Sequence, residues 1–300
     1  MHALATPVFA VIGGLTLFGT GVVSAIGWLR RPEPGRLRQI WLKFGLHMGL
    51  MALVLLAGAL GRPVLLPVTI ALATLGWREL LRALSDRYGP VTHPTLLTGF
   101  GALAPVGGLF GFRPLMAGLG LAMWAALALP MLLQRRPPAL HGLLGTALGM
   151  ALVSMPLGVF LVLCGESYGA FAFLFLMLMA NDGLSEGLGR LFGKTPIWPD
   201  ISPGKTWGGT FGGLVSCLVL GQAMHLLVPA WSTVTTLVVS AGISLTGAVG
   251  DLLASSIKRE AGIKDFGHIL PGHGGVLDRF DSLLFTVPLY VGVFRLLGGH

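Results

Sequence analysis

Apolar residues run in blocks of about twenty along this chain, with short polar stretches between them. A hydrocarbon core about 30 Å thick takes about 20 residues of helix to cross, so each block predicts a membrane-spanning helix. Ten spans are legible, at roughly 6–29, 39–60, 63–77, 94–112, 114–133, 140–163, 167–189, 207–228, 232–254 and 283–298. The third and last are short and the fourth is glycine-rich, so the count lies between eight and ten. The blocks are continuous rather than alternating, which sets a β-barrel aside. The predicted fold class is an all-α polytopic membrane protein.

Charge orients the spans. Of 20 Lys and Arg, only Arg62, Arg113 and Arg295 fall after even-numbered spans, and the other seventeen lie on the odd side. Basic loops stay cytoplasmic, so both termini are expected outside and the loops after spans seven and nine inside, in the cell (inner) membrane. The first block lacks a basic leader segment and is followed directly by Arg30 and Arg31, so it reads as a first span rather than a cleaved signal peptide.

Composition agrees. The 300 residues are 54% hydrophobic and 11% charged, against about 25% charged in soluble domains. The net charge of +8 fits attraction to anionic lipid headgroups. No soluble basic domain exists to engage nucleic acid. Cys164 and Cys217 sit in apolar blocks without partners at metal-ligand spacing, and are expected as buried small hydrophobes. Gly145/Gly149 and Gly208/Gly212 have the small-xxx-small spacing that lets helices approach closely.

Two polar stretches interrupt this pattern. The first, NDGLSEGLGRLFGKTPIWPDISPGKTWGGTFGG, contains two Gly-Lys-Thr triplets. Neither has the GxxxxGK[ST] spacing and no strand is expected before either, so a Walker-type nucleotide site is rejected. Ser202 and Lys205 nevertheless precede a span beginning near Thr206, and a helix N-terminus beside a lysine suits a polyphosphate. Ordinary positive-inside anchoring is the plain alternative.

The second stretch packs five acids and four Lys/Arg between Asp251 and Asp281. Asp251 ends an apolar block, where an unpaired carboxylate is costly and marks a functional site by default. Ser255 and Lys258 share its helix face. Pro271, Gly272, Gly274 and Gly275 then predict a tight turn around His273, followed by Asp278, Arg279 and Asp281. Carboxylates without thiolates suit a hard cation such as Mg²⁺, and bases beside acids suit a metal-bound polyphosphate. A solvated loop with internal salt bridges is the bland alternative.

The order Ser255, Lys258, Arg259, Lys264, Asp265, Pro271, Gly272, His273, Gly274, Gly275, Asp278, Arg279, Asp281 resembles the signature of the phosphatidate cytidylyltransferase (CDP-diacylglycerol synthase) family. Gly189, Arg190, Phe192, Gly193, Lys194, Ser202, Pro203, Lys205, Thr206 and Trp207 are similar to its upstream motif. The resemblance implies transfer of CMP from CTP to phosphatidic acid, giving CDP-diacylglycerol and pyrophosphate. It also implies that Asp251 and Asp278 ligate the metal, Mg²⁺ with room for a second ion, and that Lys258 and Arg259 act catalytically on phosphates. Asp281 is then either an orienting group or a third ligand. Ser202, Lys205, Ser255, Lys264, His273 and Arg279 fall to substrate binding, with filling of the turn the equal alternative for His273. Residues 1–165 are expected to form N-terminal spans and 166–300 the catalytic membrane region; a homodimer is left open.

Three positions depart from the family pattern. Ser185-Glu186 replaces Ala-Tyr, Gly208 replaces an acid, and Gly204 replaces a lysine. Glu186, one turn after Asp182, is a candidate substitute for the lost carboxylate. These differences leave open a paralogue acting on another lipid or polyprenyl phosphate. From other classes, a non-catalytic scaffold and a transporter remain as alternatives.

Overall fold

The computed structural model describes residues 13–14, 16, 20–21, 24, 34–91, 93–134, 140–267 and 274–296. Helices dominate: α1 (Pro34–Ala59), α2 (Arg62–Tyr88), α3 (Pro94–Leu103), α4 (Phe112–Gln134), α5 (Leu140–Gly149), α6 (Met155–Glu166), α7 (Tyr168–Phe192), α8 (Trp207–Ala223), α9 (Thr233–Glu260) and α10 (Leu277–Leu296). A short 3-10 turn (Ala104–Leu109) extends α3, and a π-helical segment (Met150–Ser154) joins α5 to α6. The protein is an all-α polytopic membrane protein. By length and composition, four helical stretches among the described residues can cross a membrane: Arg62–Tyr88, His141–Glu166, Tyr168–Phe192 and Thr233–Glu260. Phe44–Ala59, Pro94–Leu109 and Phe112–Ala128 are shorter apolar helices.

The predicted blocks from 39 onward all correspond to helices, and span 6–29 falls largely outside the described residues. The third block was expected to stop at 77, but α2 continues to Tyr88. Its last three turns carry Arg78, Arg82 and Arg87, and these charges give the end of the helix the polarity of a loop. A small antiparallel hairpin follows α7, with β1 (Pro196–Trp198) paired to β2 (Ser202–Thr206). The second Gly-Lys-Thr triplet lies in β2 itself, so a strand does precede it. Rejection of a Walker site therefore rests on spacing alone.

Local chemistry sets the ends of these helices. Ser167, Thr206 and Ser232 cap α7, α8 and α9, each accepting a backbone N–H three residues on, which relieves one of the unpaired donors at a helix start. α7 is the central helix. Every side chain from Ala170 to Leu178 is 0% exposed, and α1, α6, α8, α9 and α10 all pack against it. Phe160 of α6 packs against Phe171 at 4.4 Å between ring centroids, with the rings tilted by 34°.

Both glycine pairs serve packing, as their spacing implied. A Cβ on Gly149 would lie 2.5–2.7 Å from the Trp77 ring, and one on Gly212 would lie 2.7 Å from Leu188 Cδ1. Cys164 and Cys217 are buried free thiols, as expected. On the outside, Phe211, Val215, Val219, Val234, Val238 and Val249 present apolar surface, which suits lipid contact.

Candidate active site

The site forms where the buried part of α7 gives way to polar sequence. Asn181 is buried, and its Oδ1 accepts from Ser244 Oγ of α9 (2.9 Å) and Cys217 Sγ of α8 (3.4 Å). Three helices are thus tied together one residue before Asp182. On the far side, a Cβ on Gly250 would lie 2.7 Å from Phe285 Cβ and 3.1 Å from the Asp281 carbonyl oxygen. Glycine at this position lets α9 and α10 touch, which brings Asp251 against Asp281.

Ser282 of α10 joins two of the carboxylates. Its hydroxyl lies 2.6 Å from Asp251 Oδ1 and 3.3 Å from Asp182 Oδ1. Those two oxygens are therefore at most about 5.9 Å apart, the sum of the two distances. Asp281 and Asp251 are in side-chain hydrogen-bonding contact. Lys205, delivered by the hairpin, forms an ion pair with Asp251. Carboxyl groups from α7, α9 and α10 thus gather about one lysine. Carboxylates so close repel one another unless a proton or a cation lies between them.

Asp278 is held differently. Its Oδ1 pairs with Lys258 Nζ at 2.7 Å, and its Oδ2 accepts the N–H groups of Phe266 (2.8 Å) and Gly275 (2.9 Å). Both oxygens are engaged in holding the loop before α10. That loop has a second anchor, since Glu79 of α2 accepts from Val276 N–H and Leu277 N–H, each at 2.9 Å.

A cavity of about 260 Å³ opens over the cluster. Asp182, Asp251, Asp281, Lys205 and Arg279 form its polar wall, while Leu46 and Leu50 of α1 and Met179 form an apolar one. Of the residues expected at the site, Lys205, Asp251, Asp278, Arg279 and Asp281 line this cavity, and Lys258 reaches it through Asp278. Ser202, Ser255, Arg259 and Lys264 are not among the lining residues. Arg259 donates instead to the carbonyls of Ile201 and Ile263, both at 3.1 Å, bracing the hairpin against the end of α9. Lys264 is exposed, and His273 lies outside the described residues.

The donor set is wholly oxygen, which fits Mg²⁺ better than Zn²⁺. No group of three or more His, Cys, Asp or Glu side chains among the described residues is arranged to hold a metal ion by itself. That is compatible with Mg²⁺, which is usually held by one or two carboxylates and completed by water and substrate phosphates.

The departures from the family pattern have physical settings. A Cβ on Gly208 would meet Gly193 Cα at 3.0 Å and the Phe192 carbonyl at 3.1 Å, so the acid's place is filled by close backbone packing. Glu186 lines the cavity mouth and pairs with Arg190 one turn on.

Asp182, Asn181, Ser282 and Glu79 were not singled out from sequence. Asp182 carried the same signal as Asp251, an acid closing an apolar block. Glu79 was hidden in a stretch taken for a loop, and Asn181 and Ser282 carried no signal of their own.

Residues 41–297 match the model of the cytidylyltransferase family. The chain belongs to that family. It is similar to phosphatidate cytidylyltransferases from Staphylococcus epidermidis (44% identical over 126 residues, 42% of this chain and 48% of that protein) and Staphylococcus aureus (45% over 126 residues, 42% and 48%). A third, from Staphylococcus saprophyticus, is 44% identical over 121 residues, 39% of this chain and 45% of that protein. The chain spans about half the length of these relatives.

Proposed function

We propose that this cytidylyltransferase-family protein transfers CMP from CTP to a membrane-borne phosphate, phosphatidic acid first among acceptors, releasing pyrophosphate. The observation that carries this is the meeting of Asp182, Asp251 and Asp281 with Lys205 on one cavity whose other wall is apolar. An anionic headgroup with acyl chains matches that combination: phosphate against the charged wall, lipid against Leu46 and Leu50.

In the reaction, an oxygen of the lipid phosphate attacks the α-phosphorus of CTP. The new P–O bond forms as the bond to the β-phosphate bridging oxygen breaks, and the electron pair leaves on pyrophosphate. A phosphomonoester has a second pKa of about 6, so the acceptor is largely ionised and needs no strong base. Bringing two anions together is the harder task.

Asp251, with one of its neighbours Asp182 and Asp281, would hold Mg²⁺ together with water and substrate phosphates; Asp278 would join only if a cation exchanged for Lys258. When bound, Mg²⁺ would screen the two anions and stabilise the charge on the departing pyrophosphate. Lys205 and Arg279 would bind phosphate oxygens, since fixed cations aimed at developing charge are the main source of such catalysis. Lys258 keeps Asp278 and the loop in place. Arg259 steadies the hairpin that delivers Lys205. The site is proposed to face the cytoplasm of the cell membrane, where CTP is available.

The test is to supply detergent-purified protein with CTP, Mg²⁺ and phosphatidic acid, following pyrophosphate and lipid product together, beside Asp251→Asn. Mg²⁺-dependent product is expected, with a loss of about 100-fold or more in the variant. CTP binding without product would move the acceptor to another lipid or polyprenyl phosphate. Absence of CTP binding by folded protein would overturn the nucleotidyltransferase reading.

A further inference from the structure

Glu79 sits within α2, far in sequence from both polar motifs, and only 5% exposed. A carboxylate buried in a membrane-spanning helix is expensive and needs partners. Among the described residues its hydrogen-bond partners are two consecutive backbone N–H groups, Val276 and Leu277. Leu277 is the first residue of α10, and the first N–H groups of any helix have no partner within it. The positive end of the helix dipole favours an anion there, and hydrogen bonds to an ionised acceptor are about twice as strong as neutral ones.

The loop is shaped around this carboxylate. A Cβ on Gly275 would lie 2.5–2.6 Å from the Glu79 carboxyl atoms, and one on Gly267 would lie 2.5 Å from Oε1. With the carboxylate held by its two N–H donors, a Cβ at either point would push it from its place. Asp278 takes the neighbouring N–H groups, Gly275 and Phe266, and is itself held by Lys258. Two carboxylates thus share four backbone donors and clamp both arms of the loop. One turn beyond this clamp stand Asp281 and Ser282, the groups that touch Asp251 and Asp182.

We propose that Glu79 is a positioning residue: from the N-terminal half of the chain it sets the height and rotation of α10, and through α10 the placement of Asp281 and Ser282 in the metal-and-phosphate site. The inference rests on the cytidylyltransferase reading above. In Glu79→Gln one carboxylate oxygen becomes an NH₂ that faces a backbone N–H, so a good acceptor is replaced by a donor of similar size.

Detergent-purified Glu79→Gln is compared with wild type for kcat, KM for CTP and the Mg²⁺ concentration giving half-maximal activity. The expected result is a kcat lower by about 10–100-fold, the range for groups that orient ligands from behind. The Mg²⁺ requirement should rise, with KM for CTP changed less than about twofold. Gly275→Ala, which crowds the same carboxylate from the loop side, should give the same split. The double variant should be no worse than the worse single one, since both break one contact.

Hydrogen–deuterium exchange over residues 274–282 supplies a readout independent of turnover. Mg²⁺ with CTP should slow exchange there in wild type, and Glu79→Gln should abolish that protection. If wild type shows the protection but makes no lipid product, the acceptor assignment fails while the role of Glu79 stands. Folded Glu79→Gln with unchanged kcat and Mg²⁺ dependence would overturn the proposal. So would activity losses that merely track the fraction of unfolded protein in both Glu79→Gln and Gly275→Ala.

Discussion

Lys205 and Asp251 form the charge pair on which the site turns. Each side chain is 27% exposed, so the pair is neither a solvated surface bridge nor a fully buried one. Removing Lys205 as Lys205→Met would leave Asp251 among Asp182, Asp281 and the hydroxyl of Ser282 without its ion-pair partner. The expected outcome is loss of turnover with a tighter dependence on Mg²⁺, because the divalent ion must then supply the charge that Lys205 gave up. A cycle with Asp251→Asn should give a coupling of about 1–3 kcal/mol in thermal or denaturant stability, as is common for residues in one charge network. Additive effects would mean that the pair is incidental. At this scale much was legible: Asp251, Lys205 and Asp281 could be picked out because charge is scarce in an apolar chain. Asp278 was legible as an important acid, but its engagement with Lys258 and two N–H groups was not, since backbone donors leave no mark in a sequence.

Helices approach each other closely here because glycine occupies the contact points. Gly149 lies against Trp77, whose indole N–H donates to Ser154 Oγ (2.8 Å), which in turn donates to the Gly101 carbonyl (2.7 Å). Gly149→Ala should therefore cost about 1–3 kcal/mol by overpacking and lower the melting temperature in detergent. Gly242, on α9, has nothing within 4 Å of its missing Cβ. Gly242→Ala should hold or raise the melting temperature, since alanine gains up to about 1 kcal/mol in a helix interior. Equal responses at the two sites would contradict the packing described. Spacing alone marked Gly149 as a packing residue. It could not tell which side chain filled the gap, because Trp77 reaches it from a helix seventy residues away.

Across the whole molecule, the hairpin tip and the end of α9 must lie on one side, because Arg259 bonds to the Ile201 carbonyl. The proposed function, with the positive-inside bias, puts that side in the cytoplasm. Cys164 and Cys217 are buried, so engineered cysteines can report topology against low background. In intact cells a membrane-impermeant maleimide should label Ala230→Cys, on the loop before α9. Asp200→Cys and Asp265→Cys should react only after permeabilisation, and the reverse pattern would invert the topology. Sequence by itself determined the all-α membrane class, the helical blocks from residue 39 onward and the two polar stretches where chemistry gathers. It could do so because a bilayer imposes length and hydrophobicity on every helix and makes each charge conspicuous. The tertiary structure decided which charges meet. Asp182, Asp251 and Asp281 come from three helices whose relative height depends on glycine contacts and shared hydroxyls, and Glu79 reaches α10 across nearly two hundred residues. Such partners are chosen by packing in three dimensions, where separation along the chain carries no information.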